Sequence, residues 1–408
     1  MKFTDYPIVP EIKKAISELG WNKPTDIQFK AIQSILDGED VLAIAQTGTG
    51  KTASFVIPII DKIAKSKHKY KSNGISALVM VPTRELAKQI EGVFKEIGKH
   101  TKVRPMAILG GVEQDYQIEQ LRGKVDIVIA TPGRMFDLIS QGHLVVSEIR
   151  TLVLDEADHM LDLGFIKDIR DLMKHIPQKR QTLFFSATID KDIKKIAYDL
   201  VRNAIRIQIS PKNPVAKNIA HSVSYVEMDD KRFFLENLVK ENENKKIIAF
   251  VRTKVRAERV VKAMERVGIQ AEALHGDVDQ KKRFSILTRF RNGENKLLVT
   301  TDVAARGIDI QGVEAVVNYD LPDVAENYVH RIGRTGRGKD KGWAISFCSK
   351  EEKNYLLAIE EFVGYKIAEY GISKDDYEAI VEESESQNYD WQKLMAQEDL
   401  WKSKKKNK

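Results

Sequence analysis

Short apolar runs recur along the first half of the chain, separated by stretches long enough for a helix. Their apolarity is continuous rather than alternating, which is typical of strands covered on both faces and therefore of a parallel sheet. The predicted strands are 41–44, 77–81, 125–130, 152–154 and 183–185. This part of the chain is predicted to be one α/β domain.

The same pattern restarts in the second half, after the proline-containing sequence SPKNP at 210–214. Prolines end regular structure, so a linker is predicted at 210–219 between domains 1–209 and 220–365, with a tail at 366–408. Residues 254–267 read as a helix, and the second-half strands are predicted at 247–251, 271–274, 297–300, 315–319 and 343–347. A chain of 408 residues can bury two such cores.

Polar, chemically capable segments follow these strands directly. In parallel sheets ligands bind outside the carboxyl ends of the strands, so all of these segments are expected at working edges. The segments are AQTGTGKT (45–52), PTREL (82–86), TPGR (131–134), DEAD (155–158), SAT (186–188), HGD (275–277) and TDVAARGID (301–309). This placement favours an enzyme over a structural protein.

The glycine-rich segment after the first strand has the composition of a phosphate-binding loop. Gly48 and Gly50 allow the chain to turn tightly with its N–H groups pointing inward, Lys51 can reach the β/γ-phosphates, and Thr52 can place a hydroxyl on Mg²⁺. Ala45 stands where the first glycine of that pattern usually lies. Taken alone, the segment also fits a plain glycine turn in a strand–helix unit.

Two acids and a group of arginines could supply phosphoryl-transfer chemistry. Asp155 at a strand end can hold Mg²⁺ through water, while Glu156 can orient the attacking water. The alternative is a purely structural role, in which the two acids cap the N-terminus of a helix. The presence of a phosphate-binding loop makes this alternative less favoured. Arg331, Arg334 and Arg337 could stabilise transition-state charge from the second domain, or could contact a phosphate backbone.

Charge is distributed unevenly along the chain, whose net charge is +7. Residues 366–400 contain ten acidic and three basic side chains, and 402–408 contain five lysines. The basic remainder suggests a polyanionic partner, although surplus lysine also serves solubility. Cys348 is the single cysteine, so no internal disulfide or cysteine-based zinc site forms.

The sequence has no run of 18 apolar residues and no signal-peptide pattern at its start. We therefore expect a soluble, cytoplasmic protein with no membrane contact.

Taken together, these motifs resemble the DEAD-box RNA helicases of superfamily 2, over about residues 3–350. Further motifs of that family follow in order: GWNKPTDIQ (20–28) with Phe3 upstream, Gly110-Gly111, IAFV (248–251), QKKR (280–283) and HRIGRTGR (330–337). Asp26 departs from the family pattern, which usually has a second proline there. The resemblance implies an α/β fold of two tandem RecA-like domains.

The resemblance also implies ATP and Mg²⁺ as cofactors. It assigns Gln28 to the adenine edge and Phe3 or Trp21 to packing near the base, although Trp21 could equally be a core aromatic. The implied nucleotide-binding residues are Phe3, Trp21, Gln28, Thr47, Gly48, Thr49, Gly50, Lys51, Thr52 and Asp309. The implied catalytic residues are Lys51, Asp155, Glu156, Arg334 and Arg337, with Thr52 and Asp155 at the metal.

RNA is the partner that the resemblance implies, bound through its backbone as a single strand or short duplex. The implied RNA contacts are Arg84, Gly111, Thr131, Arg134, Gly276 and Thr301. Ser186 and Thr188 are expected to hydrogen-bond to Asp158 and to link the first domain to His330. Arg331 is expected to anchor its loop.

The leading interpretation is an ATP-dependent RNA helicase, bacterial in origin, that opens short duplexes locally and releases product on hydrolysis. The alternatives are a DNA translocase and an ATP-gated RNA clamp or ribonucleoprotein assembly factor. We expect a monomer with ribosomal or ribonucleoprotein partners. The tail, with Tyr389, Trp391, Leu394, Met395 and Trp401, is expected either to be disordered or loosely docked, or to hold RNA.

Overall fold

Two parallel sheets organise the chain in this computed structural model. It describes residues 1–45, 48–69, 74–188, 191–201, 203–209, 215–305, 312–336 and 340–382. These residues form two compact units, one up to residue 209 and one from residue 215. Each unit contains a seven-stranded sheet in which all paired strands run parallel.

The first sheet has the strand order β3-β4-β2-β5-β6-β1-β7. Its strands are β1 (Val41–Ala45), β2 (Ala77–Met80), β3 (Pro105–Ile108), β4 (Ile127–Ala130), β5 (Thr151–Leu154), β6 (Gln181–Ser186) and β7 (Ile205–Ile209). Its helices, which follow a 3-10 turn at Phe3–Asp5, are α1 (Pro10–Glu18), α2 (Asp26–Asp37), α3 (Lys51–Lys69), α4 (Arg84–Gly98), α5 (Gln114–Arg122), α6 (Pro132–Ser140), α7 (Ala157–Asp162), α8 (Ile166–His175) and α9 (Lys191–Leu200).

The second sheet has the order β10-β11-β9-β12-β13-β8-β14. Its strands are β8 (Ile219–Tyr225), β9 (Ile247–Phe250), β10 (Ala271–Leu274), β11 (Leu297–Thr300), β12 (Ala315–Asn318), β13 (Gly342–Cys348) and β14 (Ala368–Glu369). Its helices are α10 (Lys231–Glu241), α11 (Lys254–Arg266), α12 (Gln280–Asn292), α13 (Asp302–Ala305), α14 (Ala325–Ile332) and α15 (Lys353–Val363), with a 3-10 turn at Lys350–Glu352 and a further helix at 374–382.

Continuous apolarity in the strands has the predicted cause, which is burial on both faces. Along β1, Val41 and Ala43 join one hydrophobic core, whereas Leu42 between them joins the core on the opposite face. Because the strands are parallel, their carboxyl ends share one edge in each sheet. The expected fold class, two α/β units each built on a parallel sheet covered by helices, is confirmed.

Four strands, β3, β7, β8 and β14, were not predicted. Polar residues interrupt β7 and β8, whereas β3 begins with a proline and β14 has only two residues. Strand β7 lies at an edge of its sheet, where Arg206 and Gln208 alternate with Ile207, the strand's one fully buried residue. Strand β8 carries His221, Ser222 and Ser224 and begins at 219, the last residue of the predicted linker. A search for unbroken apolar runs misses strands of this kind.

The first part of the predicted tail belongs to the second unit. The backbone N–H of Tyr370 donates to the Val223 carbonyl at 2.8 Å. The Tyr377 ring lies 4.7 Å from that of Phe234, and its hydroxyl donates to Asp230 at 2.7 Å. Residues 366–382 are therefore packed onto the second sheet, and the expectation of a loose tail is wrong for them. The remaining tail residues singled out above lie outside the described residues.

Candidate nucleotide and nucleic-acid site

The glycine-rich loop leads from β1 into α3 at the carboxyl edge of the first sheet. Gly48 and Gly50 have φ angles of +82° and +89°, in the left-handed region that favours glycine. Lys51 begins α3 and is 7% exposed, and its Nζ has no hydrogen-bond partner within the described residues. A buried ammonium without a partner is costly, so this position is suited to an anion such as a phosphate chain. Thr47 lies outside the described residues.

The side chain of Gln28 holds this loop in place. Its Oε1 accepts from the Thr25 N–H at 3.0 Å, and its Nε2 donates to the Gly50 carbonyl at 3.1 Å. The Thr25 hydroxyl donates to the Thr49 carbonyl at 2.8 Å. These contacts use one donor and one acceptor of the amide, and a second of each is left for a ligand. The predicted base-reading residue is thus also a support for the phosphate-binding loop.

The contact with Gln28 favours glycine at position 50, as does the backbone angle there. A Cβ at this position would stand 2.6 Å from Gln28 Nε2. A side chain at position 50 would therefore displace the Gln28 amide from its contact with the loop.

The two aromatic residues assigned to the base differ in accessibility. The Phe3 and Trp21 rings have centroids 6.4 Å apart. Phe3 is 3% exposed, whereas Trp21 is 37% exposed. Trp21 is therefore the ring that a base could reach, and Phe3 supports it from within the core.

Asp155 and Glu156 follow β5 at the same edge. Asp155 is buried, and this burial raises its carboxyl pKa to about 6, opposed by the positive charge of Lys51 and reinforced by Glu156. The Glu156 N–H donates to Asp155 Oδ1 at 3.0 Å. A carboxylate kept in such a buried position costs stability in the ligand-free protein, which is the behaviour expected of a group reserved for a cation.

The Glu156 backbone lies in the left-handed region, with φ 51° and ψ 49°. Among described non-glycine residues, only Glu156 and Asn203 have a positive φ. Such a conformation costs on the order of 1–3 kcal/mol and persists only where the surroundings impose it. Strain at the residue predicted to orient water is consistent with a functional position.

Asp158 connects the DEAD segment to the residues that follow β6. Its Oδ2 accepts from the Ala187 N–H at 2.9 Å, the Thr188 N–H at 3.0 Å and the Thr188 hydroxyl at 3.3 Å. The expected contact from Thr188 is present. The expected contact from Ser186 is not, because the Ser186 hydroxyl is buried without a hydrogen-bond partner in the described part of the chain. Ser186 ends β6, and backbone N–H groups take the place expected for its hydroxyl.

Three of the predicted RNA contacts meet at the loop after β3. The Arg84 guanidinium packs against Gly110, where an added Cβ would lie 2.9 Å from Arg84 Nη2. Gly111 has φ +73°, and Arg134 Nη1 donates to the Val112 carbonyl at 3.1 Å. The structure thus brings two cationic side chains to one glycine turn. Gly110 was quoted from sequence as part of a glycine pair, but its contact with Arg84 was not predicted, because only spatial proximity reveals it.

The other predicted RNA contacts are positioned by strand and helix ends. Thr131 precedes α6 and is largely buried, Gly276 follows β10 with open space around it, and Thr301 follows β11. Their surroundings neither require nor oppose the predicted contact.

The predicted anchor Arg331 is fully buried in the second unit. Its guanidinium forms a paired contact with Asp302, at 2.6 and 2.7 Å, and donates to the Asp320 carbonyl at 2.6 Å. Asp302 is the first residue of α13, so α14 and the start of α13 are held together. Asp302 was not singled out from sequence, although it lies within the quoted segment TDVAARGID.

Two of the predicted catalytic and nucleotide-binding residues, Arg337 and Asp309, lie outside the described residues. Arg334 is 7% exposed, and its Nε donates to the His330 carbonyl at 3.2 Å. Within the described ranges, no helix is long and apolar enough to span a membrane.

Comparisons with known proteins agree with this arrangement of motifs. The family model described as DEAD/DEAH box helicase matches residues 25–196, and the helicase conserved C-terminal domain matches residues 230–339. The chain is 38% identical to the ATP-dependent RNA helicase DbpA of Bacillus subtilis, covering 90% of this chain and 75% of that protein. It is 40% identical to the ATP-dependent RNA helicase RhlB of Shewanella oneidensis, covering 94% of this chain and 87% of that protein.

Solved structures are similar over nearly the same length. Dbp5 of S. cerevisiae, bound to RNA and ADP BeF3, matches with a TM-score of 0.81 and 31% identity, covering 94% of this chain and 99% of that one. The DEAD-box helicase Mss116, bound to ssRNA and UDP-BeF, matches with a TM-score of 0.83 and 29% identity, covering 93% and 81%. Sequence and fold lead to one conclusion: the chain belongs to the DEAD/DEAH box helicase family.

Proposed function

We propose that this chain is an ATP-dependent RNA helicase, which is the activity named for its relatives from Bacillus and Shewanella. The observation that carries the proposal is Lys51, a buried ammonium without a described partner, at the start of a helix behind a loop with two left-handed glycines. That combination fits a nucleoside triphosphate.

In this proposal the nucleotide is held by residues of the first unit. Lys51 and the loop N–H groups bind the phosphates, the remaining donor and acceptor of Gln28 read the adenine edge, and Trp21 covers the base. Thr52 and Asp155 would hold Mg²⁺, an ion that usually keeps several waters and needs few protein ligands. When bound, that ion neutralises charge on the phosphates.

Glu156 would orient the attacking water, since its carboxylate lies one residue beyond the metal-binding position. Arg334 and Arg337 are proposed to stabilise the charge that develops in the transition state, a role that follows from the resemblance. If so, Arg337→Ala in the full chain should lower RNA-stimulated hydrolysis by about a thousandfold, the lower end for arginine fingers.

RNA is the proposed partner, because the neighbouring structures of Dbp5 and Mss116 contain it. Arg84 and Arg134 at the 110–112 turn would contact phosphates. Backbone contacts carry little base information, so we propose binding without strong sequence preference. Ribosomal or ribonucleoprotein partners, a monomeric state and a cytoplasmic location stay predictions.

The direct test compares ATP hydrolysis in the presence of RNA and of DNA with the same sequence, together with separation of a short RNA duplex. RNA should stimulate hydrolysis more strongly, because contacts to the 2′-hydroxyl distinguish the two sugars. Glu156→Gln serves as the matched control, since it keeps the shape but should abolish turnover while nucleotide and RNA still bind. Equal stimulation by DNA would contradict the proposed substrate.

Nucleotide choice tests the assignment of Gln28 separately. Guanine presents the reversed donor and acceptor pattern at the edge that Gln28 would read, so GTP should be hydrolysed more slowly than ATP. Each unpaired buried polar group costs about 1–3 kcal/mol. Equal turnover of ATP and GTP would show that Gln28 does not read the base.

A further inference from the structure

His159 is a buried side chain to which nothing above assigns a role. It is the third residue of α7, is 4% exposed, and neither ring nitrogen has a hydrogen-bond partner in the described part of the chain. Its Nδ1 lies 3.5 Å from Glu156 Oε2. The side chain of the proposed water-orienting residue is therefore beside an imidazole with unused hydrogen-bonding capacity.

Packing alone does not account for histidine at this position. An imidazole buried without hydrogen bonds pays the desolvation cost of two polar atoms, and an aliphatic side chain of similar volume would avoid that cost. The contact distance is slightly longer than a hydrogen bond, as is common for catalytic contacts in ligand-free proteins, which tighten when the substrate is bound.

The backbone of His159 is itself fixed. Its N–H donates to Asp158 Oδ1 at 3.1 Å, and the other oxygen of that carboxylate accepts from Ala187 and Thr188. Glu156 immediately precedes α7, and its carboxylate lies 3.5 Å from the imidazole three residues later. The residues after β6 thereby set the position of the imidazole relative to the Glu156 carboxylate.

We infer that His159 is a positioning residue, whose Nδ1–H donates to the Glu156 carboxylate and holds it in the orientation that directs the attacking water. The inference rests on the proposed function of Glu156. His159 touches neither the nucleotide nor the reacting atoms and acts through the glutamate alone.

Two substitutions separate positioning from packing. His159→Asn keeps a donor at the place of Nδ1, because the two side chains share the same atoms as far as Cγ, whereas His159→Leu keeps the volume without a donor. With saturating RNA, kcat for ATP hydrolysis should fall about three- to tenfold in the Leu variant, the value of one hydrogen bond. The Asn variant should recover most of that loss.

The KM for ATP and the affinity for RNA should be unchanged in both variants, because His159 binds neither ligand. A kcat in the Leu variant equal to that of the unmodified protein would overturn the inference. So would equal kcat losses in both variants accompanied by equal losses of stability, since that pattern describes packing.

A third variant, Glu156→Gln, is measured in the same assay. It distinguishes a failure of the inference about His159 from a failure of the proposed function of Glu156. If Glu156→Gln keeps normal turnover, Glu156 does not orient the water and the proposed mechanism fails. If Glu156→Gln is inactive while His159→Leu is fully active, the mechanism stands and only the role of His159 is lost.

Discussion

Buried positive charges are treated differently in the two units. In the second unit, Lys231 is fully buried and its Nζ contacts Glu352, the Tyr319 carbonyl at 2.7 Å and Asp320 at 3.8 Å. Burial lowers the pKa of Lys231, and the two carboxylates oppose that shift. In the first unit, Lys51 is nearly as buried, but its Nζ has no hydrogen-bond partner in the described residues.

The difference separates structural charges from functional ones. A charge that is paired within the protein is part of the fold, and removing it leaves its partners uncompensated. A buried charge without a hydrogen-bond partner, such as Lys51, is left available to a ligand. Burial therefore does not identify a site by itself, and the hydrogen-bond partners of a buried charge must be examined with it.

The largest expected effect is a loss of stability when the paired lysine, Lys231, is replaced. Lys231→Met should destabilise the second unit by about 3 kcal/mol, the lower end for a broken buried pair, because Glu352 and Asp320 keep only the partly exposed Arg252 and Arg256 as charge partners. Cys348 is a local probe, since it is buried in that unit and burial raises its thiol pKa to about 11. Its alkylation rate at pH 8 should increase by about a hundredfold or more.

Lys51→Met is the matched control for that experiment. Removing the Lys51 ammonium relieves the cost of burying it but also removes its attraction for the Asp155 carboxylate. These two effects on stability oppose each other, so the alkylation rate of Cys348 should be unchanged. Similar acceleration in both variants would show that pairing is not what distinguishes these lysines.

The second prediction concerns binding at the unpaired lysine. Lys51→Met should weaken ATP binding by about tenfold to a hundredfold, the value of charge-assisted hydrogen bonds to phosphate. RNA affinity measured without nucleotide should not change. Titration with a fluorescent nucleotide measures the first quantity, and an unchanged dissociation constant would mean that Lys51 does not contact the phosphates.

The third prediction uses two glycines with similar backbone angles. Gly50 and Gly38 have φ +89° and +94°, so alanine at either position should cost about 1 kcal/mol of stability. A Cβ at Gly50 would also strike Gln28, whereas one at Gly38 meets nothing within 4 Å. Only Gly50→Ala should weaken ATP binding. Equal nucleotide affinities for the two variants would show that the contact with Gln28 does not shape the loop.

The smallest expected effect is on stability, and it concerns Ser186 and Thr188 at the end of β6. Ser186→Ala removes a buried hydroxyl that has no described partner, so stability of the ligand-free protein should be unchanged or slightly higher. Thr188→Val removes a hydrogen bond to Asp158 and should cost about 0.5–1.5 kcal/mol. Urea unfolding monitored on the first unit compares them. A larger loss of stability in the Ser186→Ala variant would indicate that the Ser186 hydroxyl does contact Asp158, as expected from the sequence.

Much of the fold and the phosphate-binding loop could be predicted because their signals are local. Continuous apolar runs identify interior parallel strands, and the spacing of Gly48, Gly50 and Lys51 specifies a loop within eight residues. Three of the four edge strands of the sheets, β3, β7 and β14, could not be predicted in this way. Strand β7 and the segment 366–382 depend on pairing with distant residues rather than on their own apolarity.

Contacts across the site were less predictable for a related reason. The Gly110 contact with Arg84, the role of Asp302 and the proximity of His159 to Glu156 depend on how loops meet in space. The Ser186 expectation failed because a motif names residue types, while the geometry at the end of β6 decides whether a side chain or a backbone N–H reaches Asp158.

The left-handed backbone at Glu156 has a consequence for directed evolution of this chain. Glycine adopts that conformation at no steric cost, so Glu156→Gly should gain on the order of 1 kcal/mol while it removes the carboxylate. A library selected for heat resistance alone would be drawn towards glycine at position 156 and would accumulate well-folded proteins without hydrolysis. Selection on this chain must therefore reward turnover in every round in which it rewards stability.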